Sequence, residues 1–424
     1  MVGKVGTSVL CCGRWVACAT MVVVGRSNGC CHGLRKGHLG SWGRFRRGCL
    51  TARWLILWFA LNVYACSPPS QNDDQDPRAP YPPSPVIQSI RWHFESLTRR
   101  AQGSDLWPVT WASDDSLYTS WGDGGGFGGT DRSGRVSLGF ARIRGAPTDF
   151  TGTNVWGGKN SEHTATFGGK CAGMLSVEGT LYAWINLQDG TPPDCALAWS
   201  PDLGETWRRS SWRFPGEIFC PEAFLNFGKD YAGARDEYVY SYGETWGNSK
   251  EVGLVRVPKG RIMDQAAYEY FVGLDSMGKP AWTSDARERG RVFVDPDGRD
   301  FNMSPTVVYN SGIKRYILTV SVGGPGGLGV FDAPEPWGPW TTVAYYKDWG
   351  GFGAAGEGLL YSFPSKWISP DGCVMWCVFS ATGELDSFNL LRCELRLREA
   401  SQRQPRALAL QAEENSESGA KRRR

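Results

Sequence analysis

One order of features recurs five times along the chain. Each repeat has a short apolar run, a tight turn, a second run, a longer loop rich in glycine or acidic residues, and a third run. The first runs of the five repeats lie at 106–111, 172–177, 222–227, 304–310 and 365–369. Short runs separated by turn residues are typical of antiparallel strands, and four such strands make one propeller blade. The sequence therefore predicts an all-β chain in which residues 86–400 form a single five-bladed β-propeller with a central funnel.

The N-terminal part of the chain carries an export pattern. Arg46, Arg47 and Arg53 precede an apolar run at 54–64, which is too short to span a bilayer and is followed by Ala65 and Cys66. Residues 63–66 resemble a bacterial lipobox, in which the cysteine becomes the lipidated first residue. A signal peptide at 50–66 with lipidation at Cys66 is therefore expected. A cleaved secretory signal and an uncleaved anchor are the alternatives.

The segments outside the propeller are expected to lack a packed core. Residues 1–49 are rich in Gly, Cys and Arg and are interpreted as an unstructured or mis-called extension, and 67–85 form a Pro-rich linker. Residues 401–424 are polar and predict a disordered tail. The stretch 86–94 is predicted to supply a closing strand to the last blade. The expected location is the cell envelope, with a lipid anchor at the periplasmic or outer-membrane face, or the exterior after secretion.

The charge distribution argues against nucleic acid as a partner. Residues 1–65 contain nine Lys or Arg and no acidic residue, so the rest of the chain holds 37 basic against 43 acidic groups. A nucleic-acid binder would carry a basic patch on its folded part. We expect a monomer that contacts a membrane only through its lipid anchor.

Six cysteines lie in the predicted propeller: Cys171, Cys195, Cys220, Cys373, Cys377 and Cys393. An oxidising compartment permits pairing, and Cys377 with Cys393 across neighbouring strands is one candidate. Buried free thiols are the equal alternative. No CxxC pair is present in this region, so no metal site and no cofactor are predicted, although a structural calcium ion stays open.

One short motif matches the Asp-box, S-x-D-x-G-x-T-W. Its residues are Ser200, Asp202, Gly204, Thr206 and Trp207. The motif is expected to be structural, because the aspartate and the serine bond the backbone of their own turn and the tryptophan packs between sheets.

Longer motifs resemble the bacterial domain-of-unknown-function 4185 family over roughly residues 90–397. They are DLWPVTW at 105–111, WGDG at 121–124, FLNFGKDYAGARD at 224–236, FDAPEPWGPW at 331–340 and SFPSKW at 362–367. The broad family includes endo-acting D-arabinan hydrolases, and its fold is similar to five-bladed arabinanase and xylosidase propellers. The resemblance thus implies the fold and a carbohydrate-active function.

Propeller geometry sorts the candidate site residues. Each first strand starts at the top face, and the loop after the second strand returns there. Asp105 and Asp123 are therefore expected at the top of the funnel, whereas Asp114 and Asp115 lie in the opposite turn. The same rule places Lys170 and Glu222 just before the first strands of blades two and three. Glu357 precedes the fifth blade, and Lys366 falls within its first strand.

Glycoside cleavage needs one carboxylic acid and one carboxylate. By analogy with related glycosidases, which place a base in blade one and an acid in blade three, Asp105 is predicted to be the base and Glu222 the acid. Asp123 would hold sugar hydroxyls or tune the pKa of a neighbour. Lys170, Lys366 and Glu357 are candidates for substrate binding, and Trp107 for stacking on a sugar. The alternatives are backbone caps for the acids, ion pairs for the lysines and core packing for the tryptophan.

The sequence leaves two main function classes and one minor class. The first is a glycoside hydrolase acting on a furanose-rich, arabinan-like or other polysaccharide. The second is a non-catalytic, surface-tethered propeller that binds glycan or protein, and a lyase or isomerase with Lys170 as base is a minor third. A Ser-His-Asp or zinc hydrolase is disfavoured, because the folded part holds only His93 and His163 and has neither HExxH nor GxSxG.

Overall fold

The structure is a computed structural model that describes residues 76–298, 304–323, 326–354 and 358–399. The predicted N-terminal extension, the signal peptide with Cys66, residues 67–75 of the linker, Glu357 and the C-terminal tail lie outside the described residues. Within the described residues, no helix is both long and apolar enough to cross a membrane.

The described residues form strands joined by turns and by 3-10 helices of three to six residues. The predicted all-β class is confirmed. Aromatic and β-branched residues dominate the strands, and glycines with positive φ make many of the turns, such as Gly179 between two strands.

After β1 (Ile87–Arg100), the strands follow in five antiparallel groups. Group 1 contains β2 (Val109–Trp111), β3 (Leu117–Trp121), β4 (Gly139–Ala146) and β5 (Asp149–Trp156). Group 2 contains β6 (Lys170–Val177), β7 (Thr180–Asn186), β8 (Cys195–Ser200) and β9 (Arg208–Arg209). Group 3 contains β10 (Cys220–Asn226), β11 (Tyr238–Thr245), β12 (Asn248–Pro258), β13 (Glu269–Leu274), β14 (Pro280–Thr283) and β15 (Phe293–Val294). Group 4 contains β16 (Thr306–Asn310), β17 (Arg315–Ser321), β18 (Leu328–Ala333) and β19 (Thr341–Tyr346).

Group 5 contains β20 (Gly358–Ser362), β21 (Val374–Ala381) and β22 (Phe388–Leu397). β1 completes this group by pairing antiparallel with β22, so the closing strand predicted at 86–94 is confirmed. Groups 3 and 4 are joined through a short parallel pairing of their first strands, between β10 and β16.

A narrow cavity lies between the first strands of the groups. Its lining includes Val109, Gly173, Ala223, Val307 and Ser362, one residue from each group. The space inside is about 20 Å³, which is enough for one or two water molecules but not for a sugar ring.

Aromatic side chains fill the interfaces between neighbouring groups. Trp184 of group 2 stacks on Phe224 of group 3 with ring centroids 5.3 Å apart. Trp107, which precedes β2, meets Phe388 of β22 edge-on at 5.3 Å. Such contacts combine a large buried apolar area with a favourable ring geometry.

The Asp-box residues form a local hydrogen-bonded turn after β8. The Ser200 hydroxyl donates to Asp202 and accepts from the Gly204 amide, and the Thr206 amide donates to Asp202. Gly204 has a φ of 94°, and Trp207 stacks on Phe140 of group 1 with centroids 3.7 Å apart. These contacts are structural, and none of them faces the candidate site described below.

The fifth repeat differs from its prediction. The first strand of group 5 is β20, which ends at Ser362, and the run at 365–369 instead contains the 3-10 helix Ser365–Trp367. Pro364, the residue before that helix, cannot donate a ladder hydrogen bond, so strand pairing does not continue into the following residues.

The cysteine pairing also differs from the candidate pair. Cys195 and Cys220 form a disulfide between groups 2 and 3, with Cα atoms 5.5 Å apart, whereas Cys377 and Cys393 are both free. Those two residues are not opposite each other, because Cys377 pairs with Leu391 and Cys393 with Met375.

Removing the disulfide is expected to lower the free energy of unfolding by about 3 kcal/mol, because its 25-residue separation restrains the unfolded chain. Urea unfolding of the double variant Cys195→Ser, Cys220→Ser beside the parent measures this. Cys373→Ser, which alters a free and partly exposed thiol, is the control. Equal stabilities of the parent and the double variant would contradict the pairing.

Candidate active site

The first strands of the groups begin at one edge of the molecule, which we call the Asp105 edge. There, Asp105 pairs with Gly122 through two backbone hydrogen bonds, and Lys170 at the start of β6 pairs with Asn186. Cys220, at the start of β10, is paired with Glu244 in the same way. The turns between first and second strands lie at the opposite edge, which we call the Asp115 edge.

One oxygen of the Asp105 carboxyl group is buried and lacks a hydrogen-bond partner. Its Oδ1 atom is shielded from solvent and accepts no hydrogen bond. Burial, together with the nearby carboxylates of Asp386 and Asp123, raises the pKa of Asp105 to about 6 against the opposing effect of Lys170. An unpartnered carboxyl group with a raised pKa can hold a proton and release it near neutral pH.

Gly122 creates the space that Asp105 and Lys170 share. A Cβ atom at Gly122 would lie 2.8 Å from the Asp105 Oδ1 atom and 3.0 Å from the Lys170 Nζ atom. Both side chains therefore converge on one point, and only a residue without a side chain leaves that point open.

Asp123 occupies the same neighbourhood as a carboxylate with two basic partners. Its Oδ1 atom lies 2.5 Å from the Lys170 Nζ atom and 3.4 Å from the Arg135 guanidinium. Arg135 also donates a 2.7 Å hydrogen bond to the Asp123 carbonyl oxygen. Asp123 has a φ of 51°, a left-handed conformation that aspartate tolerates better than most residues.

Glu222 lies in β10, the first strand of group 3, at a β-bulge. The pairing of β10 with β11 skips this residue between Pro221 and Ala223, so its side chain is re-aimed relative to the regular strand. The Glu222 Oε2 atom is buried without a hydrogen-bond partner, and burial raises the pKa of Glu222 to about 7. Burial is thus the cause of the raised pKa of Glu222, whereas the pKa of Asp105 also responds to charged neighbours.

Two neighbours of Asp105, Asp386 and Arg135, were not predicted from the sequence. Asp386 directly follows the 3-10 helix Gly383–Leu385 after β21, and its carbonyl oxygen accepts a 2.7 Å hydrogen bond from the Gly103 amide. Asp386 follows the second strand of group 5, just as Asp123 follows the second strand of group 1. The loop after a second strand returns to the Asp105 edge, so the rule that predicted Asp123 there also applies to Asp386. Arg135 lies in the loop before β4, where no periodic signal marks it.

Two substrate-binding candidates lie elsewhere. Lys366, expected within a first strand, is in the 3-10 helix Ser365–Trp367 and forms a 2.9 Å ion pair with Asp115, at the Asp115 edge. Trp107 is completely buried and packs on Trp121 and Phe388, so its ring is not available to a sugar. Both differences arise from local contacts, an ion pair for Lys366 and aromatic packing for Trp107.

Metal ligands were not expected at this site. Within the described ranges, no group of three or more His, Cys, Asp or Glu side chains is arranged to hold a metal ion.

Part of the chain matches the model of a known protein family. The model of the family described as "Domain of unknown function (DUF4185)" matches residues 150–355. A search of curated proteins found no match for this chain.

Several solved structures resemble the chain at low identity. The GH43_1 enzyme from Xanthomonas citri is 12% identical with a TM-score of 0.42, over 69% of this chain and 87% of that one. A GH43 β-xylosidase/α-arabinofuranosidase from a compost metagenome, in complex with xylotriose, is 12% identical with a TM-score of 0.42, over 70% and 94%. A protein of unknown function from Dyadobacter fermentans is 10% identical with a TM-score of 0.42, over 73% and 100%. At these TM-scores the likenesses assign no activity. The resemblance to the domain-of-unknown-function 4185 family that the sequence motifs predicted is confirmed over residues 150–355, where the family model matches.

Proposed function

We propose that the five strand groups are the blades of one five-bladed β-propeller around the narrow cavity. Successive first strands contact one another in chain order, from β2 through β6, β10 and β16 to β20. The Leu106 amide donates a 3.1 Å hydrogen bond to the Ser380 hydroxyl of β21, which links the first group to the last. The Asp105 edge is then the rim of a central funnel.

We propose further that the protein is a glycoside hydrolase whose carboxyl groups at the Asp105 edge cleave a polysaccharide. One observation carries the proposal: Asp105, a partly buried carboxyl group with an unpartnered Oδ1 atom and a raised pKa, shares Lys170 with an ion-paired carboxylate, Asp123. Glycoside cleavage needs such a pair in opposite protonation states. A furanose-rich, arabinan-like glycan is the substrate that the family resemblance favours.

The contacts favour a division of roles that differs from the one predicted from the sequence. Asp105, protonated below about pH 6, donates its proton to the glycosidic oxygen as the bond from that oxygen to the anomeric carbon breaks. Asp123 supplies the carboxylate, which either bonds to the anomeric carbon or removes a proton from the attacking water. Water is consumed, and one product gains a new reducing end.

Glu222 remains the second candidate for the acid. With a pKa of about 7, Glu222 is protonated below neutral pH, as an acid must be. Burial alone raises the pKa of Glu222, whereas Asp105 and Asp123 interact with each other and with Lys170. The proposal therefore places Asp105 and Asp123 at the reacting bond and Glu222 beside it.

The pH dependence of kcat/KM distinguishes the two divisions. If Asp105 is the acid, kcat/KM falls as the pH rises through about 6, because Asp105 loses the proton that it must donate. If Asp105 is the base and Glu222 the acid, kcat/KM rises through the same pH before falling near 7. Initial rates at low substrate concentration across this range measure the difference, and a rise through pH 6 would overturn our division.

Gly122→Ala tests the site without removing a charged group. The added methyl group occupies the point shared by Asp105 and Lys170, so we expect kcat/KM to fall by at least about tenfold. The backbone at Gly122 is not in the left-handed region, so the variant should fold. Gly260→Ala is the control, because a Cβ atom there meets nothing within 4 Å. Unchanged kcat/KM in Gly122→Ala would argue against a site at this edge.

A non-catalytic propeller that binds glycan is the alternative function. The same carboxylates can accept hydrogen bonds from sugar hydroxyls without cleaving a bond. Glycan binding without release of reducing ends distinguishes this alternative from the hydrolase.

A further inference from the structure

A large open cavity adjoins the candidate site. Its volume is about 830 Å³, within the roughly 300–1,000 Å³ typical of ligand sites. Three segments line it: residues 99–103 before Asp105, residues 128–131 in the loop after Asp123, and Gly383, Glu384 and Asp386 after β21. Two of these segments thus lead directly along the chain to the carboxyl groups proposed to act on the substrate.

Direct contacts join the cavity wall to the candidate site. The Arg135 guanidinium donates to the carbonyl oxygens of both Asp123 and Asp131, at 2.7 and 3.2 Å. The Gly103 amide donates to the Asp386 carbonyl oxygen, so the wall before Asp105 is attached to the last group. Asp386, which lines the cavity, also interacts electrostatically with Asp105, so the cavity wall and the candidate site share this residue.

The polar groups of the wall suit uncharged hydroxyls better than acids. Donors and acceptors are both present, since the wall carries two guanidinium groups, Arg99 and Arg100, and three carboxyl groups, Asp131, Glu384 and Asp386. Burial, and the nearby carboxylates of Asp123 and Asp131, raise the pKa of Asp386 despite Arg135 and Lys170. Another carboxylate brought to this wall would add to the same repulsion.

We propose that this cavity binds the sugar rings on one side of the cleaved bond, and that it selects a neutral polysaccharide over one bearing uronic acids or sulfates. The inference rests on the proposed function for the position of the cleaved bond. The binding that it predicts is measurable without any cleavage.

Calorimetry on the full chain carrying Asp105→Asn tests the proposal in the absence of hydrolysis. Neutral arabino- and xylo-oligosaccharides are the first probes and an oligogalacturonide the acidic one. We expect a neutral probe to bind and the acidic probe to bind at least about tenfold more weakly. Asp386→Asn, which removes one negative charge, is expected to narrow that difference.

Gln102→Trp tests the location of binding. Gln102 is exposed on the cavity wall, so an indole there fills the cavity without disturbing the core. We expect the affinity for the neutral probe to fall about tenfold or more, whereas Ser276→Trp, on the exposed turn between β13 and β14, should leave it unchanged. Unchanged affinity in Gln102→Trp, tighter binding of the acidic probe, or no binding of any probe would each overturn the inference. Absence of hydrolysis by the parent, with this binding pattern intact, would instead overturn only the proposed hydrolase.

Discussion

Replacing Asp105 with asparagine is expected to lower kcat/KM for polysaccharide cleavage by at least about a hundredfold. The amide keeps the size of the side chain but has no acidic proton to donate to the glycosidic oxygen. Because the Asp105 Oδ1 atom accepts no hydrogen bond in the folded protein, the loss is expected in the rate and not in the fold. Reducing-end release with matched amounts of parent and variant measures it.

Three further variants identify the partner of Asp105. Asp123→Asn is expected to lose as much activity as Asp105→Asn, whereas Glu222→Gln should lose much less. Asp114→Asn is the matched control, because Asp114 lies in the turn at the Asp115 edge and accepts hydrogen bonds from Ser116 and Tyr118. A complete loss in Glu222→Gln with activity retained in Asp123→Asn would restore the roles predicted from the sequence.

Glu222→Gln is expected to raise the free energy of unfolding at alkaline pH. Burial raises the pKa of Glu222 from 4.5 to about 7 in the folded protein. A carboxyl group whose pKa is higher in the folded than in the unfolded state does not destabilise the fold below its unfolded pKa. Its ionisation lowers the free energy of unfolding as the pH rises to the folded pKa, and the full loss is present above that pH. Since one pKa unit corresponds to about 1.4 kcal/mol, the uncharged glutamine should make the protein more stable at pH 8 by on the order of 3 kcal/mol.

Urea unfolding at pH 4 and at pH 8 measures this difference. The gain in stability should be present at pH 8 and absent at pH 4, where both the parent and the variant are uncharged at this position. Glu217→Gln, which changes an exposed glutamate nearby in the chain, should show no such dependence. A variant that is equally stable or less stable than the parent at pH 8 would show that Glu222 is not destabilised by its surroundings.

The repeat in the sequence was sufficient to place the central residues of the site. First and second strands alternate with tight turns, so the periodicity predicts which strand ends meet at one edge. Asp105 and Lys170 therefore fall together at the Asp105 edge, as the structure has them. The same pattern predicts the turn around Asp114, whose carboxylate bonds Ser116.

The failures of prediction concern interactions that the repeat does not encode. Residues 365–369 were predicted to form a first strand, but Pro364 and a charge attraction between Lys366 and Asp115 place them in a short helix and its flank. Whether Trp107 stacks on a sugar or packs in the core depends on Phe388, which is nearly three hundred residues away in the chain. The Cys195–Cys220 pairing likewise depends on how two groups pack together.

The most direct test of the hydrolase is whether the purified protein cuts a glycosidic bond at all. The protein and its Asp105→Asn variant would be incubated with arabinan, xylan and other neutral polysaccharides, and new reducing ends would be counted. We predict release from at least one polysaccharide by the parent and almost none by the variant. Equal release by both would contradict the role of Asp105, and no release from any glycan that the folded protein binds would contradict the hydrolase and favour a binding propeller.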